Sequence, residues 1–160
     1  VLARAFRAKA ISTSKVATEF VMREARRAGY HRVLVVGKNR IGTRVVSELA
    51  SHKFAVTHIE ETEDRAEFER SGAKQAELVV IADDDLGKNL IRVDRIRSLN
   101  SSAMIICRVF HEDAAQMLTQ KPFRCVLLSS SRLALMALEN EGFLRAIGIE
   151  SGSIARGRPG

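Results

Sequence analysis

The feature that most constrains this sequence is a regular alternation of short apolar, β-branched runs with longer stretches of helical spacing. Strands are predicted at 33–37, 54–60, 78–82, 103–110 and 123–128. Between them, Ile41, Val45, Val46 and Leu49 recur as one face of a helix over 41–51, and Leu86, Leu90, Val93 and Ile96 do the same over 86–99. Two further helices are expected at about 112–119 and over 131–146. Strands separated by helices of this length require βαβ crossovers, and these produce a parallel sheet covered by helices on both faces. Composition agrees. There is no Trp and a single Tyr, so the core must be built from Val, Ile, Leu and Ala, as a doubly covered sheet requires.

Residues 1–30 read as a basic helical lead-in. Over residues 1–32, Arg4, Arg7, Lys9, Lys15, Arg23, Arg26, Arg27 and Arg32 are opposed only by Glu19 and Glu24. A helix is predicted over 15–28, with Val16, Phe20 and Ala28 on one side, Ser12 and Ser14 as candidate caps and Gly29 just past its end. This helix is expected to stand apart from the main fold, which is placed at 31–148. The Gly-, Ser-, Arg- and Pro-containing stretch 149–160 is expected to be disordered. The longest apolar runs, such as 33–36 and 78–81, fall far short of the ~20 residues that span a bilayer. The opening residues have neither the apolar core nor the cleavage site of a signal peptide. Cys107 and Cys125 have no metal-ligand spacing and suit a reducing compartment.

The chemistry sits where the first strand runs out. Gly37-Lys38-Asn39-Arg40-Ile41-Gly42 opens a helix directly after that strand, in the context of a G-x-G-x-x-G loop whose middle glycine is Asn39. Gly37 permits the tight turn, Gly42 lets the helix approach the sheet, and the helix start offers unpaired amides to a phosphate. Asn39 tolerates a left-handed backbone but adds a side chain where a pyrophosphate would come close. Lys38 and Arg40 either meet the phosphate or stay in solvent. Glu60 ends the second strand, with Glu61 next to it, at the distance from the glycines at which an acid accepts from a ribose 2′-hydroxyl. That acid favours NAD, NADH, ATP or ADP over NADP. Ala82-Asp83-Asp84-Asp85 closes the third strand and is open to three readings: helix capping, lining of an adenosine pocket, or a divalent-cation site.

These pieces together resemble the RCK (regulator of K⁺ conductance) or TrkA N-terminal domain family over roughly residues 31–142. The resemblance is carried mainly by Ala76-Glu77-Leu78-Val79-Val80-Ile81-Ala82-Asp83-Asp84-Asp85-Leu86-Gly87-Lys88-Asn89. It continues in Ser98-Leu99-Asn100, Ile105-Ile106-Cys107-Arg108-Val109 and Val126-Leu127-Leu128-Ser129-Ser130-Ser131. It implies a Rossmann-like α/β fold with a nucleotide touching Gly37, Asn39, Arg40, Ile41, Glu60, Ala82 and Asp83, and Arg108 as a further phosphate ligand. It also implies a cytoplasmic regulator of potassium transport attached to the inner face of the membrane. The chain would be a homodimer within a tetrameric or octameric ring under a channel or transporter, with an adenine nucleotide or an ion as effector. The family's extra strand between the second and third has no room in 61–76, so one strand of the usual six is expected to be missing. A degenerate copy serving only ring assembly remains open.

Two other classes fit less well. An NAD-dependent oxidoreductase needs a substrate region and an acid–base group beside the nicotinamide. His31, His52, His58 and His111 are scattered along the chain. Nucleic-acid binding through residues 1–32 lacks interleaved aromatics beyond Phe6 and Phe20 and has no reader motif. No catalytic residue, metal site or nucleic-acid partner is expected.

Overall fold

The computed structural model describes residues 13–140. In chain order these form α1 (Thr13–Ala28), β1 (Arg32–Val36), α2 (Arg40–Ser51), β2 (Ala55–Ile59) and α3 (Arg65–Arg70). β3 (Leu78–Ile81), α4 (Leu86–Leu99), β4 (Met104–Val109), α5 (Glu112–Ala115), β5 (Val126–Ser129) and α6 (Ser130–Asn140) follow. The strands make one five-stranded sheet in the order β2-β1-β3-β4-β5, and every neighbouring pair is parallel. The doubly wound Rossmann-like architecture is therefore present. The chain turns left from β1 to β2 and right from β1 to β3, which puts the topological switch point between the carboxyl ends of β1 and β3.

The alternation of side chains along the strands sorts the core into two halves. Val33, Val35, Leu78, Val80, Ile106 and Leu128 point to one face, under α1, α2 and α6. Leu34, Val36, Val79, Ile81, Ile105 and Cys107 point to the other, under α3, α4 and α5. All four residues of β3 are buried, as expected of a central strand covered on both sides.

The helix expected to stand apart does not. α1 packs into the first half of the core, with Ala17, Val21 and Ala25 fully buried and Val16 and Met22 nearly so. Small residues at i, i+4 and i+8 let the helix come close to its neighbours, and so the burial signal is easy to misread as weak. The inward face also carries polar residues. Ser14 and Thr18 are buried, and the Thr18 hydroxyl donates to the Ser14 carbonyl at 2.7 Å. Of the residues assigned to the apolar face, Val16 is buried, Phe20 half-buried and Ala28 exposed. Gly29, at φ +68°, ends the helix as expected, with the Tyr30 amide donating back to Ala25.

Two other boundaries move. Strand β5 begins at Val126 rather than 123, because Arg124 at φ +48° cannot continue an extended strand, and this leaves the buried Cys125 just outside it. The helix over 112–119 is α-helical only to Ala115 and continues as a 3₁₀ turn, Gln116–Thr119. The segment 61–76 holds no strand. It holds the short helix α3, anchored by the fully buried Phe68. The basic residues before 13, the last helix beyond Asn140 and the tail 149–160 lie outside the described residues. Among the described residues, no helix is long and apolar enough to cross a membrane, and no cluster of His, Cys, Asp and Glu could hold a metal.

Candidate functional site at the switch point

The loop from β1 to α2 is built by its two glycines. Gly37 sits at φ +110°, and a Cβ there would lie 3.3 Å from Glu61 Oε1 and 3.4 Å from the Ala82 Cβ. The first glycine therefore serves both a backbone conformation and a close approach. Its amide donates to Ile59 and its carbonyl pairs with His58 Nε2 at 2.9 Å, so β2 fixes the start of the loop. A Cβ on Gly42 would sit 2.0 Å from the Gly37 carbonyl oxygen. Only a glycine lets α2 fold back this tightly on the loop.

Asn39 makes no use of its tolerance for a left-handed backbone. It is extended, at φ −78° and ψ −179°. What matters is its side chain. Oδ1 accepts from the Gly42 amide at 2.9 Å and so caps α2, while Nδ2 donates to the Ala82 carbonyl at 2.8 Å. The carboxamide thus bridges the switch-point crevice from β1 to β3. Capping satisfies one amide at the start of α2. The amides of Arg40 and Ile41 have no acceptor among the described residues, so the helix start keeps two donors and the positive end of its dipole. Ile41 is buried and the Arg40 side chain exposed.

The expected acid and loop lysine are paired with each other. Lys38 Nζ lies 3.0 Å from Glu60 Oε1, and both side chains are largely exposed. Glu61 lies against the turn itself, its Oε1 3.3 Å from where a Cβ on Gly37 would stand.

Across from the loop, the three aspartates after β3 have different partners, and one of them is a helix cap. Asp85 caps α4 by accepting from the Lys88 amide at 3.0 Å. Asp84 Oδ2 accepts from Ser130 Oγ at 3.4 Å and lies 3.5 Å from Arg108 Nη2. Asp83 Oδ2 accepts from Arg92 Nη1 at 2.8 Å. Burial alone would raise the Asp83 carboxyl. The Arg92 guanidinium and the Asp84 and Asp85 amides outweigh it, so the group titrates below the ordinary aspartate range. Arg108, at the end of β4, donates from Nη1 to Ala82 at 3.2 Å and from Nη2 to Ser130 Oγ at 3.3 Å, and its buried Nε has no partner among the described residues. Gly37, Asn39, Ala82 and Arg108 are therefore brought together where β1, β3 and β4 end. Glu60 and Lys38 are paired with each other in solvent, and the Asp83 carboxylate is engaged by Arg92.

Arg92 is the residue that sequence reasoning missed. It lies next to Val93 on the inward side of α4 and is 1% exposed. The signal was a charge at a position adjoining the apolar stripe and three residues after Asn89. Asn89 is itself fully buried and donates to the carbonyls of Asp83 and Arg108 at 2.7 and 3.0 Å. The thiols play no part here. Burial raises Cys107 and pushes Cys125 up to about 11, so neither is a nucleophile at neutral pH.

No protein-family profile matches this sequence, and no curated protein is significantly similar to it. Solved structures do match its fold. The TrkA-N domain of the inner membrane protein YbaL from Escherichia coli superposes with a TM-score of 0.61 at 16% identity, covering 69% of this chain and 96% of that one. The Kef CTD of Shewanella denitrificans in its AMP-bound form gives 0.62 at 20% identity, covering 78% and 85%. The GsuK RCK domain gives 0.60 at 15% identity, and there this chain spans 30% of the longer protein. The chain has the fold of a TrkA-N or RCK domain.

Proposed function

We propose that this chain is a regulatory domain of the RCK/TrkA-N type that binds an adenine nucleotide at its switch point and controls potassium transport. The observation that carries the reading is the start of α2, where Gly37 and Gly42 close the loop and the Arg40 and Ile41 amides have no acceptor among the described residues. A phosphate fits such a place. Arg40 would add a forked contact to it and Arg108 a second charge at the far wall. The ribose would meet Glu61 or Glu60.

The nucleotide is best read as one with a single phosphate. Asn39 occupies the position where a middle glycine would let backbone meet a pyrophosphate, and its carboxamide already bridges to Ala82. The similar Kef CTD structure is an AMP-bound form, which supports AMP ahead of NAD, NADH, ATP or ADP. The domain would act in the cytoplasm beneath a membrane channel or transporter, as a homodimer within a tetrameric or octameric ring. Its nucleotide would shift the gate only by its preference for one ring conformation, typically ~1–3 kcal/mol. This role has no catalytic step. An NADH-oxidation assay showing turnover would contradict it.

Calorimetric titration of the chain with AMP is the direct test. Arg40→Ala should weaken AMP binding about tenfold, the value of one lost charge-assisted contact, with the circular dichroism unchanged. Unchanged affinity would remove Arg40 from the site. The Asn39 bridge favours a second reading, in which the crevice is closed and the domain serves assembly alone. A folded protein that binds no adenine nucleotide would establish that second reading.

A further inference from the structure

The least expected side chain behind the crevice is Arg92. A guanidinium is costly to bury unless its donors are matched, and an aliphatic residue would pack the same space at lower cost. Here Arg92 is 1% exposed, yet it makes a polar contact in every direction its fork allows. Nη1 donates to Asp83 Oδ2 at 2.8 Å and to Asn89 Oδ1 at 2.9 Å. Nε donates to the Thr62 carbonyl at 3.2 Å. Nη2 lies 2.8 Å from Glu63 Oε1, an ion pair without a hydrogen bond.

Apart from Asn89, which lies on α4 itself, these partners belong to two separate loops, one after β2 and one after β3. The β2 loop needs such an anchor. Once β2 ends at Ile59 no strand neighbour holds the chain until α3 begins at Arg65. Within that span, Thr62 and Glu63 directly follow Glu61, whose carboxylate lies against Gly37 at the crevice.

We propose that Arg92 is a positioning residue that ties the acidic loop after β2 to the wall formed by Asp83, and thereby gives the site its preference for a ribose carrying a 2′-hydroxyl. The inference rests on the adenine-nucleotide reading above and adds to it the source of sugar selectivity. Arg92 does not touch the ligand. It acts by holding the acid one residue before its own anchor point. Lysine cannot substitute, because a single ammonium cannot reach both loops in the plane of a fork.

The test compares AMP with 2′-deoxy-AMP by calorimetry on the full chain. The wild-type protein is expected to prefer AMP about tenfold or more, the value of one charge-assisted hydrogen bond. Arg92→Lys should bring the ratio toward parity while leaving the affinity for 2′-deoxy-AMP, which reports the phosphate end, unchanged. A merely structural role would weaken both ligands alike, and that result would overturn the inference. Glu63→Gln removes the ion pair of the loop arm, leaving the Thr62 contact, and carries the test if Arg92→Lys does not fold. Its ratio must fall as well. An intact ratio in the folded variants, or a wild-type protein that binds both ligands equally, would overturn the role of Arg92 and leave nucleotide binding standing. A wild-type protein that binds neither would overturn both.

Discussion

Replacing Asn39 separates the two tasks of its side chain. The Oδ1 atom caps α2 and the Nδ2 atom holds the Ala82 carbonyl, each at hydrogen-bond distance. Glycine at a helix N-cap costs only a few tenths of a kcal/mol relative to Asn. The lost bond to Ala82 costs about 0.5–1 kcal/mol, the low end of the usual range, because that carbonyl keeps Arg108 Nη1 at 3.2 Å and is not orphaned. Asn39→Gly should therefore destabilise by about 1 kcal/mol, a fall in Tm of roughly 3 °C for a chain of this size. Asn39→Ala loses the cap outright and should cost about 2 kcal/mol. Ligand binding should move the other way for glycine. The Gly42 amide becomes free and the loop backbone can approach a phosphate, so AMP affinity should rise about tenfold, the worth of one new charge-assisted bond. Asn39→Asp is the counter-test. It keeps an acceptor for the cap but sets a carboxylate beside the Ala82 carbonyl and the phosphate position, and it should lose AMP binding. Scanning fluorimetry and calorimetry on the three variants measure both effects. If Asn39→Gly is destabilised but binds AMP no better than the wild type, the carboxamide is not what restricts the crevice.

Two other perturbations follow from the same geometry. Gly42→Ala drives a methyl to 2.0 Å from a backbone oxygen, so it should cost about 3 kcal/mol, the upper end of overpacking. A Tm within a degree or two of wild type would show that α2 slides to make room. Asp83 has a depressed folded-state value, so its contribution to stability is complete above its unfolded pKa of about 3.9 and is lost as pH falls through the lower folded value. Asp83→Asn should accordingly flatten the acid limb of stability below about pH 4, and an unaltered limb would mean that the Arg92 pair contributes nothing there.

The sequence alone determined the parallel sheet, the position of the glycine loop between β1 and α2 and the absence of a strand in 61–76. Each of these is written in short-range periodicity and in glycines whose lack of a side chain has a local purpose. For Asp83 to Asp85 it offered helix capping as one of three readings, and the cap that forms, at Asp85, spans only three residues. Tertiary structure alone decided the rest. Asn39 finds its second partner 43 residues away, Arg92 reaches Thr62 across 30, and the Ala17, Val21 and Ala25 stripe of α1 is a core face only because α2 and α6 converge on it. A polar side chain's partner depends on which strand ends lie side by side. That adjacency is set by the 2-1-3-4-5 strand order, which no local pattern of residues contains.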